Sequence, residues 1–168
     1  SPLAFDYETD RLKPDHAESR IVCCSVSDGK EAVAYPWIGK AVEATKRLLR
    51  SGTPLIASNV KFEERWSIRH FGQGVKNWFW DTMLAAHVLD NRPGITSVKF
   101  QAFIHLGVDS WDAQVKPWLA AKGDSNGKNR IKEIDLNQLL RYCSLDSFYE
   151  YKVARKQAKL LGFPWGGD

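Results

Sequence analysis

The 168-residue chain has no Cys-x-x-Cys pair, no internal repeat and no low-complexity tract. It also lacks any apolar run near the ~20 residues a bilayer requires, so no membrane-spanning helix is expected. Without a Cys-x-x-Cys pair a zinc knuckle is not expected. The three cysteines present, Cys23, Cys24 and Cys143, are odd in number and two are adjacent. That pattern fits reduced thiols rather than a disulfide framework, and points to the cytoplasm. Ser1-Pro2-Leu3 has no basic start leading into an apolar stretch, so no secretory leader is expected there. A strong charge of one sign is missing too: 24 Lys and Arg against 20 Asp and Glu leave +4. Such a balance is compatible with a polyanionic partner but does not demand one.

What is present describes a folded chain. With 43% hydrophobic and 12% aromatic residues, it lies far from the disordered regime and is long enough for one domain, expected over residues 1–168. Leu3 to Glu8 reads as a strand. Arg20 to Ser27 and Glu31 to Tyr35 read as two more, joined by a turn containing Asp28-Gly29, a strong hairpin signal. Helical spacing covers Gly39 to Ser51, Val60 to Phe71, Asp81 to Leu89, Thr96 to Leu106 and Leu136 to Leu161. Short strands are expected at Pro54 to Ala57 and Asn77 to Trp80. Ser58 or Asn59 is the expected cap of the second helix, and Asp81 of the third. Three antiparallel strands followed by alternating strands and helices predict an α/β fold with a mixed sheet and flanking helices. Lys116, Lys122, Lys128, Arg130 and Lys132 face only Asp124 in a stretch broken by Gly123, Ser125, Asn126 and Gly127. This predicts a mobile basic loop, either solvated or touching phosphates. Trp111 and Trp118 flank it as candidate base-stacking platforms, whereas Trp78, Phe79 and Trp80 are expected to pack.

Three sets of residues carry chemistry. Residues two apart on a strand share a face, so Asp6 and Glu8 point together, away from Phe5 and Tyr7. Two carboxylates so placed repel unless a cation lies between them, and hard ions such as Mg²⁺ prefer oxygen ligands. On the last helix, Leu139, Tyr142, Asp146, Tyr149 and Val153 form one stripe. A carboxylate within an apolar stripe needs a positive partner, either a lysine or arginine or a metal shared with Asp6 and Glu8. Glu63 lies in the first turn of its helix behind Asn59, where the helix dipole favours an acid.

Together these residues resemble a known family. Phe5-Asp6-Tyr7-Glu8-Thr9 is similar to the first motif of the DEDD (DnaQ-like) 3′–5′ exonucleases. Asn59-Val60-Lys61-Phe62-Glu63 resembles the second, and Tyr142-Cys143-Ser144-Leu145-Asp146 the tyrosine form of the third. Trp80 to Ala86 and Ser97-Val98-Lys99 resemble intervening helices of the proofreading domain of family A DNA polymerases and of ribonuclease D. The resemblance implies a ribonuclease H-like fold and a phosphodiester hydrolase that removes nucleoside 5′-monophosphates from the 3′ end of single-stranded DNA. It implies two Mg²⁺ or Mn²⁺ ions. Asp6 would bridge them, Glu8 and Asp146 would complete the nucleophile side, and Glu63 would serve the leaving-group side. Tyr142 would orient the attacking water. Thr9, Asn59 and Lys99 would contact the strand, joined by Trp118, Lys128 and Arg130 of the basic stretch. Expected partners are single-stranded DNA or a frayed 3′ terminus, with RNA as an alternative and a DNA polymerase as a possible protein partner.

One position departs from the pattern. The family's second motif ends in Asp where this chain has Glu63. The extra methylene moves the carboxylate by about 1.5 Å, and misplacement of ~1 Å can cost on the order of a hundredfold in rate. Reduced activity is therefore expected; a binding module that has lost the chemistry is the alternative.

Overall fold

The computed structural model describes residues 1–166 apart from 122, 124 and 125. Strands β1 (Leu3–Thr9), β2 (Ile21–Ser27) and β3 (Ala32–Pro36) form an antiparallel meander. Helix α1 (Gly39–Ser51) leads to β4 (Leu55–Ala57), α2 (Val60–Phe71) and β5 (Trp78–Asp81). Both β4 and β5 run parallel to β1, giving the mixed order β3-β2-β1-β4-β5. Helices α3 (Thr82–Leu89), α4 (Val98–Leu106), the short α5 (Lys116–Leu119) and the 26-residue α6 (Leu136–Leu161) complete the described elements. This is the expected mixed sheet with flanking helices.

Alternation along β1 divides the core. Phe5 and Tyr7 turn to one face, packing with Leu49 of α1 and Trp66 of α2. Ala4 turns to the other, where Tyr151, Ala154 and Ala158 of α6 cover it. Asp6 and Glu8 share Ala4's face, so α6 lies over the acidic end of the strand. Helix α6 is sewn to its neighbours by buried polar side chains. Gln157 is fully buried, accepts from the Trp80 indole at 3.1 Å and donates to the Thr82 carbonyl at 3.0 Å and to Gln101 at 3.2 Å.

The three parallel strands end at one edge of the sheet, the place where open α/β sheets bind ligands. Glu8, Asn59 and Asp81 stand there at the ends of β1, β4 and β5. Elsewhere Ser1, the Asp28–Lys30 turn, Tyr151, Trp165 and Gly166 line a cavity of about 250 Å³.

Three local expectations need correction. Helix α4 starts two residues later than expected, because the Ser97 hydroxyl accepts from the Phe100 amide at 3.2 Å and Ser97 itself is extended. Asn59 precedes α2, but its side chain makes no capping bond. Asp81 does that work instead. Its carboxylate accepts from the Asn59 and Val60 amides (both 3.0 Å) and from those of Met83 and Leu84 (3.0 and 3.2 Å), capping α2 and α3 together. The described part of the basic stretch is anchored rather than mobile. The Asn129 amide donates to the Asp10 carbonyl at 3.0 Å, its side chain donates to the Thr9 carbonyl at 3.0 Å, and the Arg130 amide donates to Trp118 at 2.9 Å. Lys122, Asp124 and Ser125 lie outside the described residues.

Candidate active site

The site is built where β1 passes beneath α6. Asp6 pairs across the ladder with Ser25 and Glu8 with Cys23. The Ser25 hydroxyl donates to the Cys143 carbonyl at 2.7 Å, fixing α6 against the sheet. Cys143 points its thiol at Asp6, with Sγ 3.9 Å from Oδ2. One ligand atom from each of Asp6, Glu8 and Cys143 lies within 4.8 Å of the others.

Three residues after Cys143, Asp146 closes another side. Its Oδ1 accepts from the Lys99 ammonium at 3.1 Å and from the Trp111 indole at 2.7 Å. Lys99 also donates to the Tyr142 hydroxyl at 3.0 Å. The ammonium stands 4.9 Å from the centre of the Tyr142 ring and 5.3 Å from that of Trp111. Lys99, placed on the strand-binding surface by the resemblance, is therefore turned inward. Trp111, a stacking candidate by sequence, spends its N–H on Asp146 and rests its ring 4.6 Å from that of Tyr149.

Glu63 enters from the first turn of α2. It is 2% exposed, and its Oε2 is buried without a hydrogen-bond partner among the described residues. A fifth acid lies one helical turn beyond Asp146: Glu150 is 2% exposed and accepts from the Thr82 hydroxyl at 3.1 Å. Sequence reading missed it because the assumed stripe ran through Tyr149. The buried face of α6 instead runs through Leu139, Cys143, Ser147, Glu150, Ala154 and Gln157, leaving Tyr149 at its margin. The i, i+4 step from Asp146 was the available signal.

Electrostatics in this pocket are strained. Burial, then the charge of Asp146, pushes the Asp6 carboxyl well above the ordinary range. Glu8 is raised by burial and then by Asp6 and Asp146. Glu63 is raised by burial and then by Asp6, and Glu150 by burial and then by Asp6 and Glu63. Burial opposes the charge on Lys99, but Asp146, followed by Glu8 and Asp6, holds its ammonium above the usual lysine value. Burial and Asp146 push the Tyr142 phenol upward. Three of these carboxyls, Asp146, Glu8 and Asp6, thus act on the Lys99 ammonium, while Glu63 and Glu150 join the set through Asp6. An oxygen-rich set with an orphaned carboxylate oxygen fits divalent cations.

The remaining candidates lie around this pocket. Thr9 is buried and its hydroxyl is committed to the Arg11 carbonyl at 2.6 Å. Asn59 holds a left-handed backbone at φ 63°, the single described non-glycine residue with positive φ, and its side chain is spared from capping. Trp118 is half-buried beneath Arg130, whose guanidinium is 5.9 Å from the ring centre and 2.7 Å from Glu133. Lys128 is exposed. Glu64 bonds the Val75 amide and the Trp78 indole, a structural duty.

Comparison with known proteins agrees with this architecture. A family model described as a 3′–5′ exonuclease matches residues 1–161, and the chain belongs to that family. It is thus a 3′–5′ exonuclease domain. No curated protein matches it significantly. Among solved structures, NrnC of Brucella melitensis bound to pGG superposes with a TM-score of 0.72 at 18% identity, over 96% of this chain and 73% of that one. NrnC has also been solved with bound Mg²⁺. The POL domain of Pol1 from M. smegmatis, complexed with DNA primer-template and dNTP, gives 0.64 at 11% identity over 95% of this chain and 24% of that one. Escherichia coli RNase D, an exoribonuclease involved in structured RNA processing, gives 0.62 at 15% identity over 94% and 40%. At these identities the likeness is one of fold.

Proposed function

We propose that the chain is a divalent-cation-dependent exonuclease that removes nucleoside 5′-monophosphates from the 3′ end of single-stranded DNA. The observation that carries this reading is the meeting of Asp6 and Glu8 of β1 with the Tyr142–Asp146 turn of α6 at the carboxyl edge of the sheet. Asp6 and Glu8, with Asp146 and Glu63 on either side, would hold two Mg²⁺ or Mn²⁺ ions. Bound there, such ions supply a nucleophile at neutral pH and stabilise the leaving oxygen.

The chain's own residues do the rest. Tyr142 orients the attacking water; its raised phenol makes it a hydrogen-bonding guide rather than a base. Asn59, free of capping, positions the terminal nucleotide. Thr9 shapes the exit of β1 beside it. Trp118, Lys128 and Arg130 guide the incoming strand on a segment tied to β1 through Asn129. Unpaired bases suit such a site because the terminus must leave its duplex to enter. Proofreading or end processing is the corresponding role, with a DNA polymerase as candidate partner.

The test is shortening of a 5′-labelled strand in Mg²⁺ or Mn²⁺, run with DNA and RNA of one sequence and with circular single-stranded DNA. A ladder of 5′-labelled products, absent in EDTA and in Asp6→Ala, is expected. DNA should be preferred and circles spared. Cleavage that survives EDTA, or is unaltered in Asp6→Ala, refutes the assignment, and faster RNA shortening moves the substrate to RNA.

A further inference from the structure

Lys99 has no task in the mechanism so far, and its surroundings are unlike those of a strand-binding lysine. A lysine that tracks a phosphate backbone is exposed, as Lys128 is. Lys99 keeps only 25% of its side chain exposed and is paired to an Asp146 that is 13% exposed. An ammonium has three hydrogens to donate. Two are spent inside the site, on Tyr142 Oη at 3.0 Å and Asp146 Oδ1 at 3.1 Å. The rings of Tyr142 and Trp111 flank the charge, an arrangement that holds a cation in place. The base of α4 is fixed in turn by the Ser97 cap just before it.

This geometry has two consequences. Because the Tyr142 oxygen already accepts from Lys99, its own hydrogen is turned away from the ammonium, which limits the directions in which the phenol can donate. And because Asp146 already holds a positive charge, a divalent ion arriving at the carboxylates meets a resident competitor. We propose that Lys99 is a built-in counter-cation and positioning residue of the active site: it presets Asp146 and Tyr142 before a divalent ion arrives, and competes with that ion for Asp146. The inference rests on the exonuclease reading for its catalytic half only. The competition for Asp146 stands whether or not the chain cuts DNA.

Mn²⁺ binding, followed by the paramagnetic resonance of the free ion, separates the possibilities on the full chain at low ionic strength. Lys99→Met removes the competing charge, and Mn²⁺ should then bind about tenfold more tightly. At saturating Mn²⁺, kcat on a 5′-labelled single strand should nevertheless fall about a hundredfold, the cost of a loosened site, while KM changes little. Lys99→Arg should recover most of the loss. In a Tyr142→Phe background, Lys99→Met should cost far less than it does alone, because both substitutions remove the same orientation. Should Lys99→Met not fold, the wild-type protein still answers: the lysine ammonium signal missing from Lys99→Arg should shift as Mg²⁺ is added. Unchanged or weaker Mn²⁺ binding in Lys99→Met overturns the proposal, as does a raised KM with kcat intact, which marks a simple strand contact. A static Lys99 signal on addition of Mg²⁺ overturns it as well. If wild-type protein fails to cut DNA while Lys99→Met still gains Mn²⁺ affinity, the exonuclease reading fails and the counter-cation stands.

Discussion

Glu63 places a longer side chain where the motif it resembles has a shorter one, and the pocket accommodates it. On sequence grounds its extra methylene threatened to throw the carboxylate outward. In the structure the residue is 2% exposed and feels the charge of Asp6, so the added length is taken up inside the pocket. Glu63→Asp should therefore slow the enzyme, by about a hundredfold if its carboxyl retreats by ~1 Å or more; a faster Glu63→Asp variant in a kcat measurement would reverse this view. Glu63→Gln should lose activity yet melt about 2–4 °C higher in EDTA, since roughly 1 kcal/mol of repulsion is relieved. A thermal melt decides. The same repulsion sets a pH dependence. Asp6, Glu8, Glu63 and Glu150 hold protons in the native state above the pH at which the unfolded chain releases them. Stability without divalent ions must then fall as pH rises beyond the ordinary carboxylate range, about 4, and Mg²⁺ should restore it. Melting temperatures in EDTA and in Mg²⁺ from acid to mildly alkaline pH test this, and a flat or rising EDTA series contradicts it. Asp6, Glu8, Tyr142 and Asp146 were readable as candidates because period and motif spacing mark them. Glu150 and the inward turn of Lys99 were not, because both depend on which side of α6 meets which neighbour.

Secondary elements were more legible than their fastenings. Strands with a period of two, glycine stops and an Asp-Gly turn mark β1 to β3, α1, α2 and α6 within a residue or so of their ends. The joint between α2 and α3 was not legible. Asn59 occupies the expected capping position, yet the cap comes from Asp81, 22 residues later. No local pattern encodes a bond that exists only once β4 and β5 lie side by side. The two substitutions should behave differently. Asp81→Ala leaves four amides without their acceptor and should cost about 2–3 kcal/mol, two caps at roughly 1 kcal/mol or more each. Asn59→Gly should cost only about a few tenths, since glycine accepts the left-handed backbone freely. Urea unfolding of both variants measures the difference, and equal losses would mean that Asn59 carries the cap after all.

At the scale of the whole molecule, α6 joins the parts. It supplies Tyr142 and Asp146 to the site, covers β1, and ties to β5, α3 and α4 through Gln157. Its C-terminus at Leu161 is 15 residues past Asp146, about 22 Å at 1.5 Å per residue. The cavity lined by Ser1, Gly166, Tyr151 and the Asp28–Lys30 turn brings the first and last described residues together. A short linker between these two residues should therefore let this polypeptide be closed into a ring and reopened elsewhere. Asn91–Gly94, exposed between α3 and α4, offers the place to cut. A permutant starting there should fold and bind Mn²⁺ as the parent does, and would deliver its new ends beside α4 for tethering to a surface.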